Sequence, residues 1–146
     1  MRLSGHCLAS DHYKVYYDLY KSNHEEVIII AHGFFNSKQA VLLEELARVL
    51  NNDYDVILFD FRGHGQSQEL FYWTTKEYLD LLAIIEFASK HYKKIGVIGF
   101  SLGASTSIIA ASKTAVINSI VSISAPLEFK KIDCHLWQFD IKNDLI

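Results

Sequence analysis

The chain has 146 residues, half of them apolar and about a fifth charged, with a single proline and a formal net charge of −3. That length allows one domain whose core buries roughly two-thirds of the unfolded chain's surface, and that composition excludes a disordered chain. Charges scattered without long blocks of one sign exclude a nucleic-acid or anionic-membrane footprint, and no apolar run approaches the roughly 20 residues of a bilayer span.

The N-terminus, MRLSGHCLASDHYK, lacks the apolar segment of a signal peptide. Cys7 and Cys134 are far apart in sequence and neither sits in a CxxC pair. Neither a zinc site nor a disulfide framework is implied, and a soluble protein of the reducing cytoplasm is expected.

In chain order, CLAS-DH-YKVYYDLYK alternates like an antiparallel hairpin. Four short β-branched runs follow: VIIIAHG (27–33), DVILFDF (55–61), KIGVIGF (94–100) and SIVSIS (119–124). Each is too short and too continuously apolar for anything but a parallel strand buried on both faces. Between the first two runs, Ser37 is expected to cap a helix with Leu42, Leu46, Val49 and Leu50 on its inner face, ending at Asn51-Asn52. Between the next two, Thr74-Thr75-Lys76-Glu77 has capping-box spacing before an inward stripe of Tyr78, Leu81, Leu82, Ile85 and Ala88. A third helix is expected from Ser101 to about Lys113. The rhythm predicts an α/β layered domain, with a sheet that begins antiparallel and turns parallel.

Ligands of such sheets sit beyond the carboxyl ends of the parallel strands. Three unusual segments fall there: HGFF after the first run, DFRGHGQS after the second and GFSLG at the end of the third. GFSLG has the form of a nucleophile elbow, in which a sharp strand-to-helix turn lifts the Ser101 hydroxyl above the sheet and glycines at 99 and 103 avoid collisions. The plainer alternative is a tight turn with a capping serine. The N–H groups of Phe34 and Leu102 are candidate donors of an oxyanion hole, with single donors worth about 3 kcal/mol in the transition state. His32 is expected to shape the loop rather than act as base. DFRGHGQS departs from GxGxxG at Gln68 and lacks the GK[ST] of a P-loop, so phosphate binding is not supported. Asp60 and Arg62 are expected to pin that turn.

The ordered segments HGF, DFRGHGQS and GFSLG, with a helix between each pair and ISAP ending the fourth run, resemble the α/β-hydrolase superfamily. The group containing monoacylglycerol-lipase-like and serine-aminopeptidase-like hydrolases is the most similar. The resemblance covers residues 3 to 126 and implies a three-layer sandwich, mostly parallel with an N-terminal hairpin. It implies Ser101 as nucleophile and Phe34 and Leu102 as oxyanion donors, and it leaves His64 too remote to act as base.

In that family a Ser–Asp/Glu–His order places acid and base far downstream, whereas forty-five residues follow Ser101 here. Residues 1–126 therefore read as the N-terminal part of the domain, truncated after about the sixth strand. Residues 127–146, with Phe129, Trp137 and Phe139, read as the start of a lid or cap segment. Asp133 and His135 stand in the right order, but a compressed triad would need an unusual loop. The expectation is a serine hydrolase of carboxylic esters, with amides or thioesters as lesser possibilities. It would take a small acyl substrate and no cofactor, and would be inactive as this chain for want of acid and base. A bare edge at the last strand invites self-association. The competing readings are a non-catalytic binding protein on the same scaffold, and a Rossmann-type nucleotide binder without its glycine fingerprint.

Overall fold

A computed structural model describes residues 1–67, 70–72 and 74–126. Nine elements follow in the order β1 (Arg2–Leu8), β2 (Lys14–Tyr20), β3 (Glu26–Ala31), α1 (Val41–Leu50), β4 (Asp55–Phe59), α2 (Glu77–Ser89), β5 (Lys94–Phe100), α3 (Leu102–Ala111) and β6 (Ser119–Ile123). One sheet has the strand order β1-β2-β4-β3-β5-β6. The β1–β2 hairpin is antiparallel and β2 joins β4 antiparallel, while β4, β3, β5 and β6 run parallel.

Alternate residues of the central strands serve two separate cores, because successive side chains leave a strand on opposite faces. Ile28, Ile30, Val56 and Leu58 pack toward α1 with Leu43 and Ala47. Val27, Ile29, Ile57 and Phe59 pack on the other face with Leu81, Ile84 and Ile85 of α2 and Ala110 of α3. The result is three layers: α1, the sheet, then α2 with α3. Burying each large aliphatic side chain contributes about 1.5–3 kcal/mol, which explains why β3 and β4 carry no polar side chain on their inner stretch.

Several local expectations are corrected. In α1, Leu43 and Ala47 are buried and the expected Leu46 and Leu50 pack beside them, whereas the expected Leu42 and Val49 are 73% and 65% exposed. The helix begins at Val41 after Ala40, with no side-chain cap; Ser37 instead accepts the Gln39 N–H, a turn two residues earlier. Thr74 takes φ 72°, so the capping box does not form. Glu77 Oε1 instead accepts the Tyr72 N–H. Strand β6 is not buried on both faces: Val121 and Ile123 are exposed because, among the described residues, β6 has a sheet neighbour on one side only. The segment 127–146, with Asp133 and His135, lies outside the described residues. Among the described residues, no helix is long and apolar enough to cross a membrane.

Candidate active site

The parallel arrangement of β3, β4 and β5 brings the three segments that follow them to one edge of the sheet. At the end of β5, Ser101 adopts φ 50° and ψ −109°, a conformation that L-residues rarely hold. Its hydroxyl makes no cap bond to α3 and the residue is exposed, which disposes of the capping-serine alternative. Its backbone is held from both sides. The Ser101 N–H donates to the Ile123 carbonyl (2.9 Å), and the Ser101 carbonyl accepts from Ala104 (3.0 Å) and Ser105 (3.1 Å). The Gly103 N–H donates to the His32 carbonyl (3.1 Å). Leu102, at the first helical position, has no such partner for its N–H among the described residues, as expected of a helix N-terminus.

Glycine is required twice in this turn. A Cβ at Gly99 would lie 2.5 Å from the Gly103 carbonyl oxygen, and one at Gly103 would lie 2.2 Å from that of Ala31. The elbow can therefore press α3 onto the end of β3.

Beside it runs the turn after β3. A Cβ on Gly33 would stand 3.6 Å from the Ser101 Cβ, so this loop and the serine are in direct apposition. The turn closes where the Asn36 N–H donates to the Gly33 carbonyl (3.1 Å). His32 is fully buried. Its Nδ1 faces the Gly33 carbonyl at 2.7 Å and its Nε2 accepts the Phe61 N–H at 3.1 Å, which fixes the neutral tautomer with the proton on Nδ1. Burial lowers its pKa to about 3. With both nitrogens committed and its charge suppressed, His32 is in no position to take a proton from Ser101. Phe34 is half-buried, its ring against Phe71 (4.9 Å), Phe35 (4.8 Å) and His64 (5.5 Å).

The loop after β4 is pinned by charge. Asp60 accepts the N–H groups of Lys38 (2.7 Å) and Gln66 (2.9 Å), and burial raises its pKa. Arg62 is buried with Asp80, donating to it from Nε (3.0 Å), from Nη2 (2.6 Å) and from its backbone N–H (2.8 Å), while Nη1 reaches Asp11 at 2.7 Å. Burial pushes the Asp80 carboxyl up to about 6. Lys38 completes the anchoring: its Nζ meets the buried Asp18 of β2 at 2.8 Å. These residues hold loops, and the sequence hinted at Asp60 and Arg62 but not at their partners, because Lys38 and Asp80 sit in helical or loop stretches with no motif around them. His64 points both ring nitrogens at carbonyl oxygens, those of Arg62 (3.0 Å) and Phe34 (2.5 Å). It lies across β3 from the elbow, since β3 separates β4 from β5. Among the described residues, no group of three or more His, Cys, Asp or Glu is placed to hold a metal ion.

A strained serine between a parallel strand and a helix, at the carboxyl edge of a mixed sheet covered on both faces, defines an α/β-hydrolase scaffold. The family profile for the alpha/beta hydrolase fold matches residues 26–140, and the chain belongs to that family. Among curated relatives, a probable alcohol acetyltransferase of Cyberlindnera jadinii is 29% identical over 119 residues, 78% of this chain and 33% of that protein. Ethanol acetyltransferase 1 of Hanseniaspora uvarum is 34% identical over 92 residues, 61% of this chain and 26% of that protein. Among solved structures, an esterase of Pyrococcus furiosus superposes with a TM-score of 0.81 at 29% identity, covering 86% of this chain and 53% of the esterase. An alpha-beta serine hydrolase homologue from Coxiella burnetii superposes at 0.73 with 20% identity, over 88% of this chain and 65% of that one, and attests the fold alone. The chain thus spans about a third of the curated relatives it matches and about half of the esterase.

Proposed function

We propose that Ser101 is the nucleophile of an acyl-transfer site acting on carboxylic esters. The Ser101 Oγ attacks the ester carbonyl as its proton passes to a general base. The tetrahedral oxyanion is held by the N–H groups of Phe34 and Leu102, and the alcohol leaves with a proton to give acyl-Ser101. Water then releases the acid. The observation that carries this reading is the strained, uncapped and exposed Ser101 at the strand–helix junction, facing the Gly33–Phe34 turn. The base lies outside the described residues, because both nitrogens of His32 and of His64 are engaged elsewhere at this edge. A serine without its base loses orders of magnitude in rate, so turnover of esters requires a base to reach Ser101.

A second reading is supported by the names of the curated relatives: the acyl group on Ser101 passes to an alcohol instead of water. Both readings share the acyl-enzyme. A fluorophosphonate probe with intact-mass detection tests it, and the adduct is expected on the wild-type chain and absent from Ser101→Ala. No adduct on Ser101 would favour a non-catalytic binding protein. Brisk turnover of p-nitrophenyl acetate would place a base within 127–146, where Asp133 and His135 are the ordered pair. Ethanol added to that assay separates the two readings by the ratio of ethyl acetate to acetate.

The exposed edge at β6 is also proposed to mediate self-association, as unpaired strand edges do. Sedimentation should show a concentration-dependent dimer that Val121→Lys disperses; a monomer at all concentrations would remove this part of the reading.

A further inference from the structure

His64 is separated from Ser101 by a strand, yet its ring is engaged on every side. It stands 5.1 Å from the His32 ring, 5.5 Å from Phe34 and 5.2 Å from Phe71, the last two edge-on. The glycines on either side, Gly63 (φ 75°) and Gly65 (φ 50°), take left-handed conformations that fold the loop back, so that residue 64 faces the turn after β3. Added Cβ atoms would strike Phe71 at 2.8 Å and the Asp60 carboxylate at 2.3 Å.

What the ring holds is the Phe34 carbonyl, at 2.5 Å from Nε2. Residue 34 has only two soft dihedrals, one to each neighbouring peptide plane. The plane before it contains the Gly33 carbonyl and the Phe34 N–H, which point in opposite directions in a trans peptide. That plane is tied by His32 Nδ1 (2.7 Å) and the Asn36 N–H (3.1 Å), both on the Gly33 oxygen. The plane after it contains the Phe34 carbonyl and is tied by His64. No residue of the 33–36 turn has positive φ, so the middle peptide lies as in a type I turn. Rotating that peptide to the type II arrangement would require left-handed φ at Phe35 and would carry the Phe34 carbonyl away from His64. With both planes tied, φ and ψ of residue 34 are fixed and its N–H has one direction.

We propose that His64 is a positioning residue of the oxyanion hole: from the loop after β4 it ties the peptide that follows Phe34, and so completes, with His32 and Asn36 on the peptide that carries the Phe34 N–H, the hold on the turn that presents this N–H to the reacting oxygen. The proposal rests on the assignment of Ser101 and Phe34 made above. The Phe34 carbonyl only accepts, so a proton on Nε2 is what closes the clamp.

Three substitutions separate this role from packing. His64→Gln can place an amide donor near the Nε2 position, His64→Asn reaches only as far as Nδ1, and His64→Phe keeps the ring but no donor. The measured quantities are the second-order rate of fluorophosphonate labelling at Ser101 and the hydrogen exchange of the Asn36 amide, which closes the turn, against that of Ile57 in β4. The Asn and Phe variants should label about tenfold more slowly, less than the roughly 10²–10³-fold loss from deleting an oxyanion donor outright. Their Asn36 exchange should rise about tenfold with Ile57 unchanged, while the Gln variant recovers at least half the wild-type labelling rate. Equal labelling and unchanged Asn36 exchange in all three variants would overturn the proposal. So would equal slowing in all three with Ile57 exchange raised, which is general loosening. If wild type and Ser101→Ala label alike, the assignment of Ser101 fails instead. The exchange contrast among the three His64 variants still decides whether the turn is held from residue 64.

Discussion

Gly103 meets Ala31 so closely that a methyl group on Gly103 would lie 2.2 Å from the Ala31 carbonyl oxygen. The same glycine donates its N–H to the His32 carbonyl, one residue further on. A helix start, a strand end and the turn after β3 are thus joined at one backbone contact, and the position of Leu102 depends on it.

Replacing Gly103 with alanine should therefore destabilise the fold by about 3 kcal/mol, the upper range for forcing extra atoms into a packed site, because the obstacle is backbone. Urea unfolding would read the loss. A change below about 1 kcal/mol would mean that α3 can slide off β3 and that the elbow is less tightly seated than the distance implies.

Ser101 gives the opposite prediction. Its φ of 50° and ψ of −109° suit glycine and strain any residue with a Cβ, by about 1–3 kcal/mol. Ser101→Gly should stabilise the chain by about 1 kcal/mol while abolishing phosphonate labelling, and Ser101→Ala should abolish labelling without the gain. Identical stability of the two variants in thermal melts would argue that the strain is released elsewhere.

His32 links stability to pH. Burial holds its folded pKa near 3, against about 6.5 in an unfolded chain. Between those values the unfolded state binds the proton and the native state does not, so this contribution is complete above pH 6.5 and is lost as pH falls. The slope should approach about 1.4 kcal/mol per pH unit below pH 6. His32→Gln should flatten the stability profile by that amount, and in the native wild type the His32 ring resonance should not titrate between pH 7 and 5. A native-state midpoint near 6 would contradict the buried, doubly bonded imidazole.

The strands and their order of use were legible in sequence because continuous β-branched runs such as VIII and VILF have no other stable placement, and the parity of Ile29 and Ile30 between two cores follows from the pleat. The elbow was legible because Gly99 and Gly103 bracket Ser101 at spacings set by backbone collisions. Caps were misjudged for a different reason: Ser37 and Thr74 are competent capping residues, but the turns before α1 and α2 consume them. The α1 stripe was legible at Leu46 and Leu50 but misplaced at Leu42 and Val49, with Leu43 and Ala47 buried instead, since every uncharged position from 41 to 50 is apolar. The hold of His64 on Phe34 had no signal at all, for it is a side chain meeting a backbone carbonyl thirty residues away, and backbone acceptors leave no mark in a sequence.

Arg62 supplies the last test, of the network beneath the site. It is buried against Asp80, and burial, outweighing the lowering pull of Arg62, holds that carboxyl up at about 6, against an ordinary value near 3.9. Arg62→Met removes the cation and leaves Asp80 buried without a charge partner, which at pH 8 should cost about 3–5 kcal/mol. A carboxyl with a raised folded pKa binds more protons in the native state than in the unfolded one between about pH 4 and 6. The variant should accordingly gain stability as pH falls through that window, and without Arg62 to pull it down the carboxyl should protonate at still higher pH. The deficit relative to wild type should shrink by at least about 1 kcal/mol between pH 8 and pH 5, whereas Arg62→Met with Asp80→Asn should show no such recovery. A deficit independent of pH in the single variant would mean that Asp80 finds water or another donor once the guanidinium is gone.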